Sequence, residues 1–176
     1  GRGFCSGADV GGLGNRSASQ ETSLNDRREG LRQGFQRVPL ALQNLDKPTI
    51  AAVNGVAGGL GLDLALACDI RIASENARFG ELFVRIGLFP GTGGTWFLPR
   101  LVGTGRAFEL IWTGDLVEAK EAERIGLVNR VVPHDKLISE TLALAGRLAK
   151  GPSLALSLSK MAVYQGLNQS LAEALE

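Results

Sequence analysis

Two carboxylates and two glycine-rich bends carry the possible chemistry of this sequence. Asp63 lies near the start of an apolar helical segment, Gly61 to Cys68, launched by the bend Gly58-Gly59-Leu60-Gly61. Glycine lets a backbone take positive φ and come close to a ligand. The free N–H groups and positive dipole end of the following helix face back into the bend. The bend is therefore a place to hold negative charge, with Asp63 in reach. Burial beside such a place would raise the Asp63 pKa toward the working range of a general acid or base. The plainer reading is an acid satisfying free N–H groups at a helix start. Glu81 follows Phe79-Gly80, and the second bend, Phe89-Pro90-Gly91-Thr92-Gly93-Gly94, launches another helix. No P-loop lysine follows the first bend and the helix it launches is short and apolar, which argues against a phosphate cradle. One histidine, His134, and two separated cysteines, Cys5 and Cys68, build neither a metal site nor a disulfide framework.

The elements that must position these residues follow from pattern. Thr49–Val53 is β-type and ends at the turn signal Asn54-Gly55; Asp69–Ala73 is β-type again, and Arg78–Gly80 makes a short strand. Strands alternating with short helices imply a βα-type repeat. Upstream, Gly1–Gly14 reads as strand end and loop, and the polar stretch 15–30 as a mobile or ligand-covering segment. Leu31, Phe35, Val38, Leu42 and Leu45 have helical spacing, with Pro39 expected to kink or split that helix. Downstream, helices are expected over 95–102, in two short pieces divided at Pro99, then over 106–112, 117–124 and 135–150, and from an N-cap at Ser153 to Tyr164. A strand is expected over 127–132, ended by Pro133.

The bounds agree with one domain. The chain has 176 residues, 24 of them Gly, and a formal net charge of +1. Near-neutrality gives no support to nucleic-acid or anionic-membrane binding, and no apolar run reaches membrane-spanning length. The sequence opens without Met and closes inside an amphipathic pattern (Leu167, Leu171, Leu175), which reads as a fragment of a longer chain.

Three blocks resemble the enoyl-CoA hydratase/isomerase (crotonase) superfamily: Gly3-Phe4-Cys5-Ser6-Gly7-Ala8-Asp9-Val10, the stretch Lys47 through Asp69, and Arg85 through Gly103 with its Phe89-Pro90-Gly91-Thr92-Gly93-Gly94. The tail blocks 113–122 and 126–132 fit as well. The resemblance implies an α/β fold, a crotonase-like spiral of ββα units with C-terminal helices, lacking the first strands and the last helical segment. It implies a single domain over 1–176, with a spiral core over about 1–132 and a helical region over about 133–176. It implies an acyl-CoA substrate, coenzyme A entering as part of that substrate with no separate cofactor, and assembly as a homotrimer or a dimer of trimers. For a bacterial protein the expected compartment is the cytoplasm, with mitochondrion or peroxisome left open.

The resemblance also implies roles. Backbone N–H groups of Ala8 and Leu60 would stabilise an enolate-like thioester oxyanion, a donor of that kind contributing roughly 3–4 kcal/mol. Asp63 sits where hydratases carry one catalytic glutamate. The second falls on Phe83, which cannot move a proton, and the acid that some isomerases use falls on Gly91. Glu81 is the candidate replacement, since i and i+2 share a face of an extended segment; a solvated surface glutamate is the ordinary reading. Cys5, Ser6, Gly7, Asp9, Gly59, Gly61, Phe83, Phe89 and Gly91 are the expected substrate-binding positions. Phe83, Phe89, Trp96 and Phe97 hint at a bulky or cyclic acyl group, and core packing explains them equally well. Arg2 and Arg27-Arg28 are candidates for CoA phosphates. The alternatives are a non-catalytic acyl-CoA-binding subunit, and a CoA-thioester hydrolase or decarboxylase of the same superfamily.

Overall fold

The computed structural model describes residues 1–8 and 23–175. Asp9, and the first part of the polar stretch, lie outside the described residues. Strands β1 (Ile50–Val53) and β2 (Val56–Gly58) are followed by helix α3 (Leu60–Leu66). Strands β3 (Ile70–Ser74) and β4 (Arg78–Gly80) are followed by a 3-10 turn over Leu82–Ile86 and helix α4 (Gly94–Val102). Helices α1 (Leu24–Gln33) and α2 (Arg37–Gln43) precede this core. After it come α5 (Thr104–Thr113), β5 (Val117–Glu118), α6 (Ala119–Arg124), β6 (Arg130–Val132), α7 (Leu137–Ala149), α8 (Ser153–Gly166) and α9 (Leu171–Ala174).

Consecutive strands go to different sheets. One sheet has the order β1-β3-β6, the other β2-β4-β5. Pairings β1 with β3, β3 with β6 and β2 with β4 are parallel, and β4 with β5 is antiparallel. Each two-strand step therefore turns a corner at a tight connection and closes with a helix, giving the ββα repeat. Cys5 extends the second sheet by a parallel bridge to Ala57. Val53, Ala57, Leu62, Ala65, Leu66, Phe79 and Leu98 form the core between the layers, all at most 2% exposed. None of the helices is long and apolar enough to cross a membrane, among the described residues.

Several expectations shift. Val56–Gly58 is a strand rather than part of a bend, because its partners, Cys5 and β4, are distant in sequence. The polar stretch 15–30 holds the start of α1: Ser23 Oγ accepts from Asp26 N, and the Asp26 carboxylate accepts from Ser23 N, a capping box. The helix expected over Leu31–Leu45 is split at Gly34, not at Pro39. Pro39 occupies the first turn of α2, where no intrahelical N–H is needed. Pro99 leaves α4 in one piece. The expected helix over 117–124 begins as the short strand β5. Ser153 is the first residue of α8 rather than its cap.

Candidate active site

Parallel pairing builds the site. Gly58 lies opposite Gly80 in the β2–β4 register, and Gly59 N donates to Gly80 O at 2.8 Å. Residues that follow β2 therefore lie beside those that follow β4, at the carboxyl ends of two parallel strands, where α/β sheets favour ligand sites. After β2 comes the bend that launches α3 and carries Asp63; after β4 comes Glu81.

Asp63 is 1% exposed and Glu81 0% exposed. Glu81 is thus not a surface glutamate. It shares the inward face with Phe79, two residues before it and 1% exposed. Asp63 is fully enclosed as well. The two carboxyls meet over Gly94. A Cβ built on Gly94 would lie 2.5 Å from Glu81 Oε1 and 2.6 Å from Asp63 Oδ1. Two oxygens so close to one point are at most about 5 Å apart, within the range where like charges couple.

The environments of the two acids differ. Thr92 Oγ1 donates a hydrogen bond to Asp63 Oδ2. Among the described residues, Asp63 Oδ1 and both Glu81 oxygens meet no protein donor. Two carboxylates have no donor to offer each other, whereas one protonated carboxyl beside one carboxylate does. Burial drives both pKa values up. Asp63 rises to about 6, with the Thr92 hydroxyl, then Glu81, then the Gly94 backbone pulling back down. Glu81 rises to about 9, pushed by burial and then by the Asp63 charge. Among the described residues no Lys, Arg or His forms an ion pair with either acid. Burial raises both acids and the charge of Asp63 raises Glu81 further, so the two titrate as a coupled unit.

The first bend sits next to this pair. Gly59 takes φ 52°, and Leu60 keeps negative φ, so Leu in place of a glycine causes no strain. Leu60 opens α3, so its N–H has no partner within the helix. Gly7, at φ 108°, passes alongside: a Cβ there would lie 3.3 Å from Gly58 O and 4.0 Å from Leu60 N. Ala8 follows, exposed. Cys5 O accepts from Gly58 N at 2.9 Å and backs directly onto Gly61, where any side chain would collide with it. Phe83 places its ring 3.6 Å from a Cβ built on Gly59, covering the bend.

Other expected positions lie further out. Ser6 is exposed, and Phe89 is 69% exposed with its ring against Gly91. Phe97 is core, and Trp96 packs edge-on against it at 4.9 Å while stacking under Arg100. Both line a separate groove of about 450 Å³ with Asp69, Lys160 and Tyr164, which neither Asp63 nor Glu81 enters. His134 is exposed, its Nδ1 2.9 Å from Ser74 Oγ. Arg2 is exposed. No group of three or more His, Cys, Asp or Glu is arranged to hold a metal, among the described residues. Two participants were missed in the sequence, Thr92 and Gly94. The only signal for them was the second glycine cluster itself, which marked a close approach without saying to what.

Known proteins resemble this chain along its whole length. The family profile described as enoyl-CoA hydratase/isomerase matches residues 1–176. The chain is 44% identical over 172 residues to the crotonyl-CoA hydratase of Syntrophomonas wolfei, covering 98% of this chain and 64% of that protein. It is 41% identical to the short-chain-enoyl-CoA hydratase of Clostridium acetobutylicum, covering 98% and 63%. The crystal structure of enoyl-CoA hydratase from Bacillus anthracis superposes with a TM-score of 0.87 at 38% identity, over 99% of this chain and 65% of that one. The chain thus spans a little under two thirds of the length of these relatives. With a profile match along its whole length and the same ββα spiral, the chain belongs to the enoyl-CoA hydratase/isomerase family.

Proposed function

We propose that the protein adds water across the conjugated double bond of an enoyl-CoA thioester, with Asp63 as base and Glu81 as acid. The observation that carries this reading is the buried Asp63–Glu81 pair against Gly94, one helical turn from the Leu60 N–H. In its one-proton state the pair contains the two groups that hydration needs. Asp63 carboxylate takes a proton from water as the oxygen bonds to C3. The π electrons move to the thioester, whose oxygen becomes an oxyanion held by the Ala8 and Leu60 N–H groups. Glu81 delivers its proton to C2 as the thioester carbonyl reforms. Asp63 is left protonated and Glu81 ionised, and transfer of one proton between them restores the starting state. The pKa ordering, Asp63 near 6 and Glu81 near 9, suits base and acid respectively.

Glu81 thereby stands in for the acid that the family carries at the position of Phe83, and Phe83 forms an apolar wall over the bend. Cys5, Gly7, Gly59 and Gly61 shape the oxyanion bend through their backbones, while Ser6, Phe89 and Gly91 are the outer substrate-binding positions and Asp9 is a further one by sequence position alone. Assembly as a homotrimer or dimer of trimers is supported by apolar side chains left exposed on α8 and α9, such as Leu154, Val163 and Leu171.

The test is a panel of linear and cyclic enoyl-CoA thioesters, followed by mass spectrometry with the full-length protein and with Asp63→Ala. Gain of one water by wild type, abolished in Asp63→Ala while acyl-CoA still binds, is the expected result. Binding without turnover across the panel would assign a non-catalytic acyl-CoA-binding role. Release of free CoA or carbon dioxide would assign hydrolysis or decarboxylation.

A further inference from the structure

Beyond the pair itself, we propose that Thr92 is a positioning residue that fixes which carboxyl carries the shared proton, holding Asp63 ionised and so leaving the proton on Glu81. This rests on the acid/base reading above. The argument is one of asymmetry. The two acids are equally buried and both lie against Gly94, so burial alone does not rank them strongly. Their partners do. Asp63 Oδ2 accepts from the Thr92 hydroxyl, and among the described residues neither Glu81 oxygen accepts from a protein donor. A donor aimed at one member stabilises that member's charged form, and a charge-assisted hydrogen bond is about twice as strong as a neutral one.

Thr92 is built to hold this orientation. It is 5% exposed, between buried Pro90 and the start of α4. The loop is tied from the opposite side by Gln36 Nε2, which donates to Gly91 O at 2.7 Å, with Leu31 Cδ1 near Gly91. The groups that bear on the pair are few. From the loop and α4 come the Thr92 hydroxyl and the Gly94 backbone; from α3 comes Asp63; from the end of β4 comes Glu81. No cation intervenes among the described residues, so the hydroxyl is the main polar asymmetry. Exchange of the two roles would put the base and the acid on the wrong ends of the double bond.

The experiment compares Thr92→Val, which keeps the shape and removes the donor, with Thr92→Ser, which keeps the donor. Two readouts are taken on the full-length protein: kcat/KM against pH with crotonyl-CoA, and infrared titration of the protonated-carboxyl stretch without substrate. In Thr92→Val the acid limb moves up by about one pH unit, and the infrared midpoint moves with it; Thr92→Ser follows wild type. Equal loss of kcat in both variants with unmoved limb and midpoint would overturn the proposal and leave Thr92 a packing residue. If wild type adds no water to any enoyl-CoA, the hydratase reading fails, and the infrared midpoint alone then decides for or against Thr92. Should Thr92→Val not fold, Thr92→Ala serves as the second hydroxyl-free variant under the same criteria.

Discussion

Replacing Glu81 by Gln should make the protein's stability less dependent on pH, and the size of the change follows from linkage. The Glu81 carboxyl ordinarily titrates at 4.5 and is pushed up to about 9 by burial and by Asp63. Between those limits the folded protein keeps a proton that the unfolded chain has released. The stability contributed by the neutral, buried acid is complete below pH 4.5 and is lost as pH rises through the window toward 9. One proton of difference corresponds to a slope of about 1.4 kcal/mol per pH unit. Asp63, raised from 3.8 to about 6, adds a slope of the same sign at the lower end of the range. Glutamine has the shape of the protonated acid and cannot ionise, so the variant lacks the Glu81 slope. Urea denaturation of wild type and Glu81→Gln at intervals from pH 5 to pH 9 reads this directly. The variant should gain on wild type by about 1 kcal/mol or more with each unit of pH, while losing most of its turnover. Parallel stability curves would show that Glu81 is ionised in the folded protein, and the proton-sharing pair would be refuted.

Three further outcomes are expected. Gly94→Ala puts a methyl group 2.5–2.6 Å from both carboxyls and 2.9 Å from Pro90 Cβ; it should cost about 1–3 kcal/mol of stability and about a hundredfold in kcat/KM by forcing the pair apart, measured by thermal melts and steady-state rates. Asp69→Ala tests the opposite case. Asp69 accepts from Thr49 N, Thr49 Oγ1 and Tyr164 Oη and pairs with Lys160 at 2.9 Å, lining the groove that neither Asp63 nor Glu81 enters; its loss should lower stability by about 2–3 kcal/mol without altering the pH dependence of kcat/KM. Phe83→Ala removes the ring that covers Gly59; it should raise KM for bulky acyl-CoA substrates more than for crotonyl-CoA, and equal effects on both would remove Phe83 from acyl selection.

Much of this arrangement was legible in the sequence, and the losses have a common physical cause. Asp63, β1, β3 and the bend that launches α3 follow from local apolar pattern and glycine chemistry, which need no tertiary information. Glu81 was harder. A charged residue next to Arg78 and Arg85 reads as surface, yet it stands two residues from Phe79, and that spacing already put it on the buried face of an extended segment. β2 was hidden because its three residues gain their partners from Cys5 and Phe79. Thr92 and Gly94 were invisible for the same reason. A hydroxyl finds a carboxylate 29 residues away, and a glycine leaves room for two acids, only once the α4 start is folded over the ends of β2 and β4. The expected kink at Pro39 failed because a proline in a first turn costs nothing.

The central claim is that Asp63 and Glu81 share one proton and act as base and acid. The pH dependence of kcat/KM for crotonyl-CoA hydration by the full-length protein tests it most directly. A bell with limbs near 6 and near 9 is expected, the alkaline limb disappearing in Glu81→Gln together with most of the rate. A profile flat across that range, or an alkaline limb that survives in Glu81→Gln, would contradict it.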